Sequence, residues 1–136
     1  MKSVLLIAHG SRREASNQEV RDLAEKLVQI GGESFDFVVP AFLELVEPDI
    51  PAGVDRCVAA GATSVRAVPY FLSAGRHVAI DIPEELEKAR CLHPDIVIEQ
   101  SEYLGKHENI PGILLMLALD EVNPNANSRS PEQGPQ

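Results

Sequence analysis

The chain contains no tryptophan, and aromatic residues make up only 4% of its 136 positions. Base stacking and aromatic cages both depend on aromatic rings, so this scarcity disfavours both kinds of binding site. Basic residues are also few, because 12 lysines and arginines stand against 21 aspartates and glutamates, which gives a net charge of −9. A nucleic-acid-binding protein needs a basic surface for the phosphates, so we predict no nucleic-acid partner.

Cysteines and long apolar stretches are scarce as well. Cys57 and Cys91 do not make a disulfide framework, and nothing points to an oxidising compartment. The longest apolar stretch, Ile113 to Leu119, is far too short to cross a bilayer. The sequence before the first predicted strand leaves no room for a signal peptide. We therefore expect a cytoplasmic protein without a membrane partner.

Apolar runs and helical periodicity alternate along the chain. The predicted strands are Ser3–Ala8, Phe35–Phe42, Ser64–Phe71 and Asp95–Glu99. The predicted helices run from Ser11 to Gly31, near Ile50–Ala60, over Asp81–Cys91 and over Pro111–Val122. This alternation predicts an α/β fold, a three-layer sandwich with a four-stranded parallel sheet, in one domain over residues 1–122. Residues 123–136 are rich in Pro, Asn, Ser, Gln and Gly, which predicts a disordered tail.

Polar residues follow the strands at the edge where open parallel sheets bind their ligands. His9, Glu44 and His77 follow the first three strands, and His107 follows the fourth, whereas His93 precedes the fourth strand and belongs to the opposite edge. Two imidazoles and a carboxylate suit a divalent first-row metal, and an open site with so few ligands suits transient metal handling. For His107 the alternative is an ordinary residue of a surface loop.

Four cations are predicted at the same edge of this acidic chain, namely Arg12, Arg13, Arg76 and Lys106. The first helix begins just after Gly10 and offers free backbone N–H groups there. These features favour an anionic ligand, although solvated surface charges would give the same pattern. Gly10 would permit a tight turn, and Gly75 would allow the backbone to approach a ligand closely.

Several common motifs are absent from the sequence. Neither a GxGxxG motif nor a P-loop follows the first strand, and Ser11 lacks the GxSxG context of a hydrolase nucleophile. We expect Ser11 to cap the first helix instead. A strand followed by His-Gly also leaves open a histidine nucleophile for phosphoryl transfer, but Ala8 stands where such enzymes have an arginine. Cys57 is predicted to lie in the core, and the Cys91–His93 pair is interpreted as coincidental.

Four stretches of the sequence resemble the small class II chelatases of the sirohydrochlorin cobaltochelatase and ferrochelatase family. They are Ala8–Arg12, Ala41–Glu44 with Pro48, Val68–Val78 and Leu104–His107. The resemblance extends from Ser3 to about Leu119, and it implies a flavodoxin-like half of a class II chelatase. It also implies ATP-independent insertion of a divalent metal into a sirohydrochlorin-type tetrapyrrole, for cobalamin or sirohaem synthesis.

The resemblance further implies roles for individual residues. His9 matches the family's metal-binding general base, and His77 matches its second metal-binding histidine. Glu44 matches the carboxylate that faces the tetrapyrrole. The matching substrate loop comprises Leu72, Ser73, Ala74, Gly75 and Arg76, and Ser11 and Arg12 are further candidates for substrate binding. Co²⁺, Fe²⁺ or Ni²⁺ would be a substrate, and no permanently bound cofactor is expected.

Larger chelatases of this class have two such halves flanking a cleft, so a chain with one half is expected to form a homodimer. A protein that binds metal or tetrapyrrole without catalysis would carry similar residues. This carrier is the alternative function, and the sequence does not select the metal.

Overall fold

The computed structural model describes residues 1–120, in which strands and helices alternate. The strands are β1 (Lys2–Ala8), β2 (Phe37–Phe42), β3 (Ser64–Pro69) and β4 (Val97–Gln100). The α-helices are α1 (Glu14–Gly31), α2 (Ile50–Ala59), α3 (Ile82–Leu92) and α4 (Ile110–Leu119). A π-helical turn, His77–Asp81, leads into α3, and a 3₁₀ turn, Leu104–Lys106, precedes α4. The predicted tail, 123–136, lies outside the described residues.

The four strands form one parallel sheet in the order β2-β1-β3-β4, which confirms the predicted sheet. The chain leaves β1 toward β2 and then crosses back over β1 to reach β3. The strand order therefore reverses between β1 and β3, and in such sheets the crevice beyond that reversal is the usual place for a ligand. The loops after β1 and after β3 flank this crevice.

Alternating side chains of β1 supply the two halves of the core, as expected for a strand buried on both faces. Leu6 and Ala8 belong to the cluster that holds Val20 and Ala24 of α1. Leu5 and Ile7 belong to the other cluster, with the inner faces of α2 and α3. Helices thus cover both faces of the sheet, and the predicted three-layer α/β sandwich is confirmed for α1, α2 and α3.

Helix α4 lies outside these layers. None of its residues is buried, although its sequence is almost entirely apolar. The side chains of Leu114, Leu117 and Leu119 are 60%, 65% and 74% exposed. No helix among residues 1–120 is both long and apolar enough to cross a membrane.

The predicted start of the first helix at Ser11 was wrong, since α1 begins at Glu14. The Ser11 hydroxyl accepts a hydrogen bond from the backbone N–H of Arg13 at 3.0 Å, which closes a turn before the helix. Buried Asn17 holds this turn, because its amide group bonds both the N–H and the carbonyl of Ser11, at 2.9 and 2.8 Å. Ser11 is therefore part of a turn that Asn17 stabilises and is not the helix cap.

The second strand is also shorter than predicted, because it begins at Phe37 and not at Phe35. The ring of Phe35 packs over Gly31 at the end of α1, where any side chain on Gly31 would collide with it. Phe35 therefore closes the connection from α1 and does not join the sheet.

Candidate metal and substrate site

The turn after β1 packs against the loop after β2. Gly10 has a φ of +95°, and a side chain at this position would collide with the Glu44 carbonyl. The Glu44 N–H donates to the His9 carbonyl at 3.1 Å, and the Leu43 N–H donates to the Ala8 carbonyl at 3.0 Å. These bonds hold the two loops together, so that His9 Nε2 lies 3.2 Å from Glu44 Oε1.

Glu44 is followed by a strained residue. Leu45 is a non-glycine residue with a φ of 70°, in the left-handed region that is costly for branched side chains. Such conformations persist only where the surrounding bonds enforce them, and they cluster at functional sites.

The second histidine lies in the π-helical turn after β3. The backbone N–H of Ile82 donates to the His77 carbonyl, which is the i→i+5 pattern of a π-helix. Buried Val78 and Ile82 anchor this turn in the core and leave His77 at the surface. The His77 ring lies 4.7 Å from the His9 ring, centroid to centroid, with the ring planes inclined at 65°. The structure thus brings together His9, Glu44 and His77, at the crevice between β1 and β3.

Each imidazole has a partner that orients it. The Nδ1 atom of His9 lies 3.0 Å from the Gly10 carbonyl, and the Nδ1 atom of His77 lies 2.9 Å from Asp81 Oδ2. Sequence reasoning missed Asp81, which was assigned only to the start of a helix. Its signal is the spacing His-x₃-Asp, which places two side chains on one side of a helical turn.

A small pocket beside His77 is lined by carboxylates. Its volume is about 160 Å³, and its walls include Glu44, Asp81, Glu84 and Glu85. Within residues 1–120, no group of three or more His, Cys, Asp or Glu side chains is arranged to hold a metal ion. The arrangement therefore resembles an open site with two imidazole donors in an acidic setting, and it does not resemble a closed structural centre.

An apolar surface adjoins the histidines. A pocket of about 250 Å³ is lined by Tyr70, Phe71, Leu72 and Leu104. Leu72 is 75% exposed, and Gly105 is packed so tightly against the Leu72 carbonyl that a side chain there would collide with it. The loop after β3 is thus fixed at Leu72 by the segment after β4, with an exposed apolar side chain next to the crevice.

The remaining substrate-binding candidates are exposed around this surface. Ser73, Ala74, Gly75 and Arg76 are all exposed, and open space surrounds the position that a side chain on Gly75 would take. Arg76 Nε lies 3.8 Å from Asp81 Oδ1. Arg12 is exposed in the turn before α1, at the same edge of the sheet.

The other candidates have local partners. The Nδ1 atom of His107 accepts a hydrogen bond from the Asn109 backbone at 3.1 Å, in the turn before α4. His93 lies at the opposite edge, as predicted, with Nε2 2.6 Å from Asp55 Oδ1. Cys57 is fully buried in the core, as predicted, and this burial raises the pKa of its thiol. Cys91, in contrast, is exposed.

The chain is similar in sequence to known proteins over most of its length. The family model described as CbiX matches residues 3–120. The chain is 33% identical over 125 residues to the sirohydrochlorin ferrochelatase of Priestia megaterium, a match that covers 90% of this chain and 45% of the relative. The chain spans about half the length of the first curated relatives it matches.

Two solved structures share the fold. The putative cobalamin biosynthesis CbiX protein from Marinobacter aquaeolei VT8 superposes with a TM-score of 0.74 at 29% identity, covering 87% of this chain and 94% of that one. The sirohydrochlorin chelatase SirB from Bacillus subtilis subspecies spizizenii, in complex with cobalt, gives a TM-score of 0.75 at 29% identity. That match covers 93% of this chain and 57% of the other.

Proposed function

The chain belongs to the CbiX family, and we propose that it is a chelatase that inserts a divalent metal ion into sirohydrochlorin without ATP. The observation that carries this proposal is the meeting of His9 and His77, 4.7 Å apart, over the crevice between β1 and β3. The relatives named sirohydrochlorin ferrochelatase and the cobalt complex of SirB support the same reaction. Co²⁺, Fe²⁺ and Ni²⁺ are the metal substrates that this donor set suits.

The reaction releases two protons from the pyrrole nitrogens, and the site offers groups to receive them. The carbonyl of Gly10 can only accept, so Nδ1 of His9 carries the hydrogen of their 3.0 Å contact. In the neutral ring the other nitrogen, Nε2, then carries the lone pair, which can hold the metal ion or take a proton from the substrate. Glu44 lies 3.2 Å from Nε2 and can accept the second proton or pass one to the solvent.

The surroundings suit a flat substrate that carries carboxylates. The exposed apolar side chain of Leu72 can contact the face of the macrocycle. Arg76 and Arg12, with the turn residue Ser11, lie where they can bind its acid groups. We assign substrate binding to Ser11, Arg12, Glu44 and the loop Leu72–Arg76, and we assign both catalysis and metal binding to His9 and His77.

We also propose that the working form is a homodimer whose contact includes α4. This helix exposes an apolar surface on every side, and exposed patches of this kind usually mark interfaces. A second copy would supply the half that the longer relatives carry in one chain, and it would complete a cleft around the macrocycle. We place the chelatase domain within residues 1–122 and the protein in the cytoplasm, with no membrane or nucleic-acid partner.

The experiment is a metal-insertion assay under anaerobic conditions. Purified protein is mixed with an excess of sirohydrochlorin and with Co²⁺, Fe²⁺ or Ni²⁺ in turn, and the absorbance of the macrocycle is followed. We expect several equivalents of metallated product per chain, above the rate without protein. Product limited to one equivalent per chain would identify a carrier, and no acceleration with any of the metals would overturn the proposal.

A further inference from the structure

Asp81 is the side chain that determines which nitrogen of the His77 ring carries a hydrogen. Its Oδ2 atom lies 2.9 Å from Nδ1, and a carboxylate oxygen can only accept a hydrogen bond. Nδ1 of His77 therefore carries a hydrogen, and in the neutral ring the lone pair lies on Nε2. Without such a partner, a neutral imidazole exchanges freely between its two tautomers, and only one of them presents Nε2 as a metal ligand.

The backbone holds the side chains of His77 and Asp81 next to each other. His77 opens the π-helical turn and Asp81 ends it, so both belong to one short rigid element. Val78 within the turn and Ile82 just after it are buried, which fastens the element to the core. The contact is therefore built into the fold, unlike a pairing between two mobile surface loops.

The second carboxylate oxygen faces the substrate-binding side. Asp81 Oδ1 lies 3.8 Å from Nε of Arg76. Arg76 is 76% exposed, so this ion pair contributes little to stability. The ion pair does, however, favour conformations of Arg76 in which the guanidinium lies on the same side of the loop as His77.

We propose that Asp81 is a positioning residue, which holds the neutral ring of His77 in the tautomer and orientation that present Nε2 to the incoming metal ion. The inference rests on the proposed function in one respect, namely that His77 binds the metal substrate. Partners of this kind on metal-binding histidines typically contribute 10–100-fold to metal affinity or activity.

The test compares Asp81→Asn with Glu84→Gln. Both substitutions remove one negative charge from the same acidic pocket, but only Asp81 contacts Nδ1. The asparagine amide can donate to Nδ1 and so stabilise the other tautomer. We expect the dissociation constant for Co²⁺ alone to rise about 10–100-fold in Asp81→Asn and to change less than about threefold in Glu84→Gln.

A second measurement determines which nitrogen of the His77 ring carries the hydrogen. In ¹⁵N–¹H spectra of the metal-free protein, His77 should be protonated on Nδ1 in the native chain and in Glu84→Gln, and should shift toward Nε2 protonation in Asp81→Asn. Asp81→Glu, which keeps the carboxylate, should recover part of the Co²⁺ affinity. Unchanged Co²⁺ affinity and an unchanged tautomer in a folded Asp81→Asn protein would overturn the proposal.

These outcomes also separate the two proposals. If the native protein binds Co²⁺ in an Asp81-dependent way but does not metallate sirohydrochlorin, the chelatase function fails and the role of Asp81 stands. If sirohydrochlorin is metallated but Co²⁺ affinity is the same in Asp81→Asn, the role of Asp81 fails and the chelatase function stands.

Discussion

The Nε2 atom of His9 points at a carboxylate, 3.2 Å from Oε1 of Glu44, while Nδ1 of the same ring contacts the Gly10 carbonyl. Because Nδ1 must donate to that carbonyl, Nε2 of the neutral ring and Oε1 are two acceptors facing each other. A proton or a metal cation between them removes the conflict. The pair can thus hold either cation of the proposed reaction, namely the metal ion that insertion consumes or a proton that insertion releases.

Replacing Glu44 with glutamine should impair insertion strongly. The glutamine amide can donate to Nε2 of His9, which occupies the lone pair that the metal or proton needs. We expect the turnover number for metal insertion to fall by about 10²-fold, the usual scale for loss of a proton-transferring group. Glu47→Gln, an exposed carboxylate in the same loop, is the matched control and should retain activity. A Glu44→Gln enzyme within twofold of the native rate would contradict the role of Glu44.

Removing either imidazole should abolish insertion without unfolding the protein. The side chains of His9 and His77 are 42% and 48% exposed, so neither supports the core. His9→Ala and His77→Ala should each lower the insertion rate by about 10²–10⁴-fold, with circular dichroism unchanged. His93→Ala, at the opposite edge of the sheet, should remain active. Full activity in both of the first two variants would falsify their assigned roles.

Two charged residues on α4 should dissociate the proposed dimer. Leu114 and Leu117 lie one helical turn apart, so Leu114→Lys with Leu117→Lys places two charges on one side of the helix. Sedimentation equilibrium should report a dimer for the native chain and a monomer for this variant, and its insertion activity should fall with the loss of the cleft. Ile30→Lys alters another exposed apolar side chain, at the end of α1, and should leave the dimer intact. A native chain that sediments as a monomer at assay concentration would refute the dimer.

The two cysteines should differ sharply in reactivity. Burial raises the pKa of the Cys57 thiol, so this group is both inaccessible and protonated at neutral pH, whereas Cys91 is exposed. A thiol-specific reagent should therefore label one cysteine per folded chain, identified as Cys91 by peptide mass, and both cysteines in denaturant. Rapid labelling of Cys57 in the folded chain would show that α2 is less tightly packed than the structure indicates.

The positions of His9 and Glu44 could be predicted because each lies within two residues of the end of a strand, and parallel strands end at a common edge. Asp81 was missed because a π-helical turn has no periodicity that distinguishes it from the start of an α-helix, and the His-x₃-Asp spacing alone does not show that the two side chains meet. Ser11 was misassigned for a related reason: the buried Asn17, seven positions into the predicted helix, determines where the turn ends. For α4 the composition predicts an apolar helix, but the local sequence does not indicate that this helix lies outside the layers with its apolar side chains exposed.

The π-helical turn fits one more residue between His77 and the core than an α-helical turn would. Ala79 and Ile80 are both exposed within it. If Ile82 stayed in the core, deleting one of them would rotate both His77 and buried Val78 by about 100° around the helix axis, and His77 would turn away from His9. The facing arrangement of the two imidazoles therefore depends on one additional residue in this turn, and its loss would also turn Val78 out of the hydrophobic core.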